Sequence, residues 1–312
     1  YSFFESNKLF AEAQYGFRQK RSTQSAILTL VDHITSIFEN GGYGVASFLD
    51  LSKAFDCVSH NILLGKLGTY NLHKSSIKLI KSYLDDRSQV VKYKHNISDC
   101  LKINQGVPQG SILGPLLFLI FINDLPTSIT LDTVLYADDT SLLSKEMTAQ
   151  SAASINRETQ TIIRNWFEQN RLRLNLDKSV NIMFTLNKVT PFPVYEDTTK
   201  FLGITVDSKL DWKKHGQELA KAAKNIFLLK NLRGQIDSNC LRQAYFALIQ
   251  SLLSYGLLCW GRSTIRHRIF GLQRKAIRIL ANLGYREECK KQYIIFNILT
   301  LPSLYIFMSL IY

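Results

Sequence analysis

Two adjacent carboxylates, Asp138 and Asp139, interrupt an otherwise apolar or hydroxyl-bearing run, VLYADDTSLL, at residues 134–143. Val134, Leu135, Tyr136, Leu142 and Leu143 are good strand formers, so the stretch reads as strand, turn, strand. An unpaired charge buried in such a hairpin is costly. The pair must be exposed at the turn, matched by cations, or holding a metal. A second oily run, in ASFLDLSKAFD, ends on Asp50. Strand ends that meet in one sheet can hold oxygen donors around divalent cations. Mg²⁺ suits carboxylate and water ligands and is often shared with substrate phosphates. Two such ions about 4 Å apart activate an attacking oxygen and stabilise a leaving one in phosphoryl transfer. The bland alternative is a pair of ordinary turn residues. The chain carries its own control in Asp85 and Asp86, within SYLDDRSQ, which follow a helical pattern, precede Arg87 and read as solvated loop.

The elements that must position these acids alternate in type. Ile27, Leu30, Val31, Ile34, Ile37 and Phe38 keep helical spacing after Ser22, a natural cap, and Gly41 and Gly42 stop that helix. Residues 43–51 read as a buried strand, and helices follow at about 61–70 and 74–84. Residues 88–106 predict two strands around a turn at His95 and Asn96. ILGPLLFLIFI, 112–122, is an apolar helix too short to span a bilayer. A long helix covers about 148–170. SVNIMFTL, 179–186, and KFLGITVD, 200–207, each read as one strand. Beyond Asp211 strand signals vanish, and helices are expected at about 212–233, 237–254 and 264–283. A mixed α+β body therefore gives way to a helical tail.

Composition narrows the chemistry. The 312 residues, 46% hydrophobic and 20% charged, describe a folded chain. Its net charge of +13 fits a polyanionic partner, most often nucleic acid. Five scattered cysteines (57, 100, 240, 259 and 289), with no CxxC, argue against a disulfide framework or a zinc finger and for a reducing compartment. The run 292–312 lacks Lys and Arg but carries Asn297 and Pro302, and reads as a broken, packed terminal helix rather than a membrane span. A chain opening on Tyr1 reads as a fragment, with no signal peptide expected.

FLDLSKAFD, QGVPQGSILGPLLF, YADD, LNLDKS and FLGI occur in the order of the palm motifs of reverse transcriptases. Their wording resembles that of non-LTR retrotransposons of the LINE, jockey-like kind. QYGFRQKRST is similar to the fingers segment of that family, and SLLSYGLLCWG with the Arg-rich 262–278 resembles the segment after its palm. The resemblance implies an α+β right-hand polymerase. Its parts would be N-terminally truncated fingers at 1–40, palm at 41–70, further fingers at 71–104, palm at 105–210, and a helical thumb with a C-terminal extension at 211–312. It implies an RNA-directed DNA polymerase using two Mg²⁺ ions, or Mn²⁺. The partners would be an RNA template, a DNA primer or target, and deoxynucleoside triphosphates. No membrane partner is implied, and the setting would be cytoplasmic and nuclear.

Residue by residue, the resemblance makes Asp50 and Asp138 the metal-bridging carboxylates and Asp139 the third acid. Phe55 would pack under the deoxyribose and block a 2′-hydroxyl; without the resemblance it is a core Phe. Gln109 would touch the incoming nucleotide with Gly110 shaping the turn, and Lys178 would protonate the leaving pyrophosphate. Phe201, Leu202 and Gly203 would form the primer grip. Arg18 would hold the triphosphate or template. The basic residues of 213–278, with Trp212, Tyr245 and Trp260 among them, read as a surface for a sugar-phosphate backbone. Two rivals stay open. One is an RNA-dependent RNA polymerase, which prefers Gly where Ala137 stands and a polar residue where Phe55 stands. The other is a remnant that only binds nucleic acid.

Overall fold

The computed structural model describes residues 1–188, 195–221 and 223–312. The chain divides into two compact units, Tyr1–Glu196 and Asp197–Tyr312.

The first unit is built on an antiparallel sheet. Its strands are β1 (Gly44–Leu51), β6 (Asp132–Tyr136), β7 (Asp139–Leu143) and β8 (Leu174–Phe184), in the order β6-β7-β1-β8. Gly44–Leu49 are buried at every position, on both faces of the pleat, so β1 runs through the interior with layers above and below. The helices are α1 (Ser2–Ser6), α2 (Thr23–Glu39), α3 (His60–Thr69), α4 (Lys74–Leu84), α5 (Leu113–Ile122) and α6 (Ala149–Gln169). Helix α2 begins as the sequence predicts. Ser22 is extended, its hydroxyl accepts from the Ser25 N–H, and the Ser25 hydroxyl accepts from the Ser22 N–H, a reciprocal cap. Helix α5 is apolar all round and buried from Leu117 to Ile122, as such a helix must be. Helix α6 is locked onto the sheet by a polar knot: the Gln160 Nε2 donates to Ser47 Oγ (2.9 Å), Asn156 Oδ1 (2.9 Å) and Asn181 Oδ1 (2.8 Å).

Residues 88–102 differ from the expected two strands. They form two nested ladders of two residues each, β2 (Ser88–Gln89) with β5 (Leu101–Lys102) and β3 (Lys92–Tyr93) with β4 (Asn96–Ile97). The turn falls at Lys94 and His95, where Lys94 is left-handed (φ 55°). All eight strand residues are exposed, so no packed face extends the pairing.

The second unit opens with a hairpin. KFLGITVD is not one strand but two, β9 (Thr198–Phe201) and β10 (Ile204–Asp207), because Leu202 (φ 46°) and Gly203 (φ 84°) are both left-handed and fold the chain back. The helices are α7 (Lys213–Lys221), α8 (Ala223–Leu232), α9 (Ser238–Tyr245), α10 (Ser251–Ser254), α11 (Leu257–Trp260), α12 (Arg266–Leu280), α13 (Lys290–Ile295) and α14 (Leu301–Ile311), with a π-turn at Phe246–Gln250. Trp212, Tyr245 and Trp260 are buried core, not a surface for nucleic acid. Among the described residues no helix is long and apolar enough to cross a membrane. The terminal run breaks between α13 and α14, where Asn297 is left-handed (φ 50°).

Gln273 is completely buried in this unit. Its Nε2 donates to the Tyr245 hydroxyl (3.0 Å) and the Leu299 carbonyl (3.0 Å), and its Oε1 accepts from the Leu301 N–H (2.8 Å). Gln273→Leu leaves the buried Leu301 N–H without a partner, which costs about 1–3 kcal/mol. Urea unfolding of the full chain should show that loss; a midpoint equal to wild type would refute it.

Candidate active site

The pairing of β1 with β7 sets Ala46 opposite Leu143 and Leu49 opposite Thr140. One further step in that register would set Asp50 opposite Asp139. Directly opposed side chains share a face, with Cβ atoms about 4.5–5.5 Å apart. Asp138 sits in the two-residue turn between β6 and β7, closed by the pairing of Tyr136 with Asp139. Asp50, distant in sequence from the adjacent pair Asp138 and Asp139, therefore comes to the same end of the β1–β7 ladder as that pair. Leu49 and Thr140 are buried, Asp50 and Asp138 half-buried, Asp139 exposed.

The electrostatics record the same convergence. Burial, and then the charges of Asp138 and Asp50, push the Asp139 carboxyl up to about 6. Burial also raises Asp138; its own backbone N–H offsets part of this, and Asp50 adds to it. Asp139 is open to solvent by area yet crowded by protein and by like charge, as in a hollow open on one side. Among the described residues none of the three forms an ion pair, so no side-chain cation neutralises them. Three hard oxygen donors of one sign suit a divalent cation. Among the described residues no three acidic, His or Cys side chains stand in finished ligand geometry. The acids share a strand end without yet closing into a cage.

The turn that carries Asp138 is unusual. Ala137 occupies its first position with φ 55°. A hairpin turn wants Gly there, and the left-handed conformation costs an L-residue about 1–2 kcal/mol. The compensation comes from residues the sequence reading did not single out. Gln14 is buried, and its Oε1 accepts from the Gly16 N–H (2.7 Å) and the Ala137 N–H (3.0 Å). Gln14 also bridges Leu135 in a parallel register: the Tyr15 N–H donates to the Leu135 carbonyl (2.7 Å), and the Leu135 N–H to the Ala13 carbonyl (2.8 Å).

The other expected site residues fall into separate places. Phe55 is half-buried, stacked on Phe118 (centroids 4.4 Å, 23°), and its carbonyl accepts from the Val107 N–H. Gln109 is exposed, and its Nε2 donates to Asp56 Oδ1 (2.9 Å). Gly110 is left-handed (φ 78°) with open space around it. The turns at 53–57 and 105–109 line one cavity of about 1320 Å³, whose cations Lys53, Arg87, Lys102, Arg171 and Arg173 outnumber Asp56 and Glu168. Lys178 is exposed on a bulge of β8, where four residues, Leu176–Ser179, stand against Leu49 alone. Arg18 is held internally. It forks onto Glu5 (3.0 and 2.9 Å), donates to the Ala11 carbonyl (2.9 Å), and its side chain is 8% exposed. To hold a triphosphate it would have to leave Glu5. Phe201, Leu202 and Gly203 stand in the second unit, where the Leu202 carbonyl accepts from the Tyr255 hydroxyl.

Residues 2–206 match the protein family described as reverse transcriptase (RNA-dependent DNA polymerase). The chain is 31% identical over 296 residues to the RNA-directed DNA polymerase from mobile element jockey of Drosophila melanogaster, covering 87% of this chain and 32% of that protein. It is 29% identical over 302 residues to a probable RNA-directed DNA polymerase from transposon BS of the same organism, covering 89% and 33%. The chain thus spans about a third of the length of these relatives. A telomerase structure from Candida tropicalis, in complex with a fragment of telomeric RNA, superposes with a TM-score of 0.51 at 13% identity, covering 98% of this chain and 55% of that one. That likeness speaks to the fold alone, and the fold is the right-hand polymerase that the motifs imply.

Asp139 makes the metal-free protein sensitive to pH. Its folded carboxyl titrates at about 6, against about 3.9 for an unfolded Asp. A raised acid is penalised when ionised, so the penalty is full above about pH 6, shrinks as pH falls, and is gone below about 3.9. In EDTA, Asp139→Asn should melt above wild type at pH 7.5, and the gap should close between pH 6 and 4. A mutant melting at or below wild type at pH 7.5 would contradict this assignment.

Proposed function

The chain belongs to the reverse transcriptase (RNA-dependent DNA polymerase) family, and on that premise we propose that it joins deoxynucleoside triphosphates to a primer 3′-hydroxyl on an RNA template, as the polymerase of a non-LTR retrotransposon. The observation that carries this reading is the register of β1 with β7, paired as far as Leu49 and Thr140, which leads Asp50 toward Asp139, a carboxyl that feels the charges of both Asp50 and Asp138. These three carboxylates would hold the divalent cations, Mg²⁺ or in its place Mn²⁺. Two such ions, when bound, would lower the pKa of the primer hydroxyl and neutralise charge on the triphosphate.

The remaining residues bind and orient. The Phe55 ring, backed by Phe118, is a rigid wall against which a 2′-hydroxyl would clash. Gln109 borders the cavity where the incoming nucleotide would lie, and the backbone at the neighbouring Gly110 has open space around it. Lys53, Arg87, Lys102, Arg171 and Arg173 give that cavity the charge to follow a sugar-phosphate backbone. Lys178, exposed on its bulge, would give a proton to the leaving pyrophosphate. The hairpin turn at Phe201, Leu202 and Gly203 would grip the primer. In this reading residues 1–40 and 71–104 are fingers, 41–70 and 105–210 palm, and 211–312 thumb and extension. The unit boundary at Asp197 groups the primer-grip hairpin with the helices that follow it.

The test is primer extension on poly-rA/oligo-dT with dTTP and Mg²⁺. Asp138→Ala should lower extension by at least a factor on the order of 10²–10³. Equal signal from both proteins would sink the enzyme reading. RNA binding without extension by wild type would favour a binding-only remnant instead. Phe55→Val should admit ribonucleotides at a raised rate; unchanged sugar discrimination would remove the steric role of that ring.

A further inference from the structure

The Gln14 amide has no part in the proposed chemistry, yet it touches the turn that presents Asp138 and Asp139. Both of its hydrogen bonds are to backbone N–H groups, those of Gly16 and Ala137. Two donors demand an acceptor, so the chemistry fixes the oxygen, not the NH₂, toward the turn. The Nε2 is left buried with no partner among the described residues. Burying an unsatisfied donor is costly and is tolerated where the group serves another end. The bonded Ala137 is a left-handed non-glycine residue, a conformation that persists only when its surroundings impose it.

The segment bearing Gln14 is itself anchored. Asn123 accepts from the Ala11 N–H (2.8 Å) and donates to the Leu9 carbonyl (2.7 Å). Arg18 holds the Ala11 carbonyl, and Tyr15 bonds Thr29 on α2 (2.8 Å). Gly16 lets the segment lie close: a Cβ there would stand 2.4 Å from the Ala137 nitrogen and 3.1 Å from Gln14 Oε1. Backbone pairing with Leu135, the close approach at Gly16 and the amide bond to Ala137 thus converge on one turn.

We infer that Gln14 is a positioning residue for the acidic site: its amide oxygen holds Ala137 left-handed, so that Asp138 and Asp139 are presented to a divalent cation beside Asp50. It rests on the polymerase reading in taking those acids as the cation ligands. Gln14 touches no reacting group. It acts only through the turn.

The consequence is separable from general stability. Gln14→Met removes the acceptor while keeping the volume. Mn²⁺ binding to the full chain, followed by electron paramagnetic resonance, should weaken at least tenfold, and the Mg²⁺ concentration for half-maximal primer extension should rise in step while the KM for dTTP stays unchanged. Adding Ala137→Gly, which accepts the left-handed turn without help, should recover most of the Mn²⁺ affinity. Gly16→Ala, which pushes the segment off the turn with Gln14 intact, should reproduce the defect. Asp138→Ala supplies the reference for a lost site. Wild-type Mn²⁺ affinity in Gln14→Met, with Asp138→Ala defective, overturns the positioning role alone. No Mn²⁺ binding by wild type overturns the metal reading and this inference with it. If Gln14→Met does not fold, hydrogen exchange on wild type decides: a protected Ala137 amide is expected, and one exchanging as fast as an open loop overturns the inference.

Discussion

The antiparallel pairing of β1 with β7 is the constraint on which the molecule depends. Side chains alternate along a strand, so a slip of one residue would turn Asp50 toward the opposite face and separate it from Asp139. Burial resists that slip. Every residue of β1 from Gly44 to Leu49 is covered on both faces, and Thr140–Leu143 of β7 are covered as well. That packing therefore sets the position of the charges: Asp50 is the half-buried residue of β1, between buried Leu49 and Leu51, and Asp139 is the exposed first residue of β7.

Like charges gathered in this way work against the fold that gathers them. The raised Asp139 and Asp138 carboxyls are the signature of that conflict, and a left-handed Ala137 adds to it. Such local costs are common at sites built for binding or reaction, where the surrounding packing holds an arrangement that the local sequence would not choose. Here the surroundings include the polar knot of Ser47, Asn156, Gln160 and Asn181, which fixes α6 on the sheet, and the segment Ala13–Gly16 along β6.

Much of this was legible in the residues themselves. Periodicity and caps located α2, α5, α6 and the hairpin of Asp138 and Asp139, because those elements bury strong apolar stripes and end on clear signals. The acids at two strand ends stood out because charge is foreign to an oily run. Other features escaped because their cause is not local. KFLGITVD has the composition of a strand, and only Gly203 hinted at a fold-back. Residues 88–102 alternate like a hairpin but have no core to pack on. Trp212, Tyr245 and Trp260 looked available among many cations, yet tertiary packing buries them. The internal ties of Arg18 to Glu5 and Ala11, and the bond of Gln14 to Ala137, join partners that no spacing rule connects.

The contact of Gln14 with Leu135 has a consequence for the sheet as well. In the four-stranded sheet β6 is an outer strand, and such a strand offers unpaired backbone groups to any neighbouring chain. The Ala13–Tyr15 backbone occupies that margin with two short hydrogen bonds at Leu135. Removing the first sixteen residues would uncover it, and the shortened protein would be prone to self-association through its own sheet.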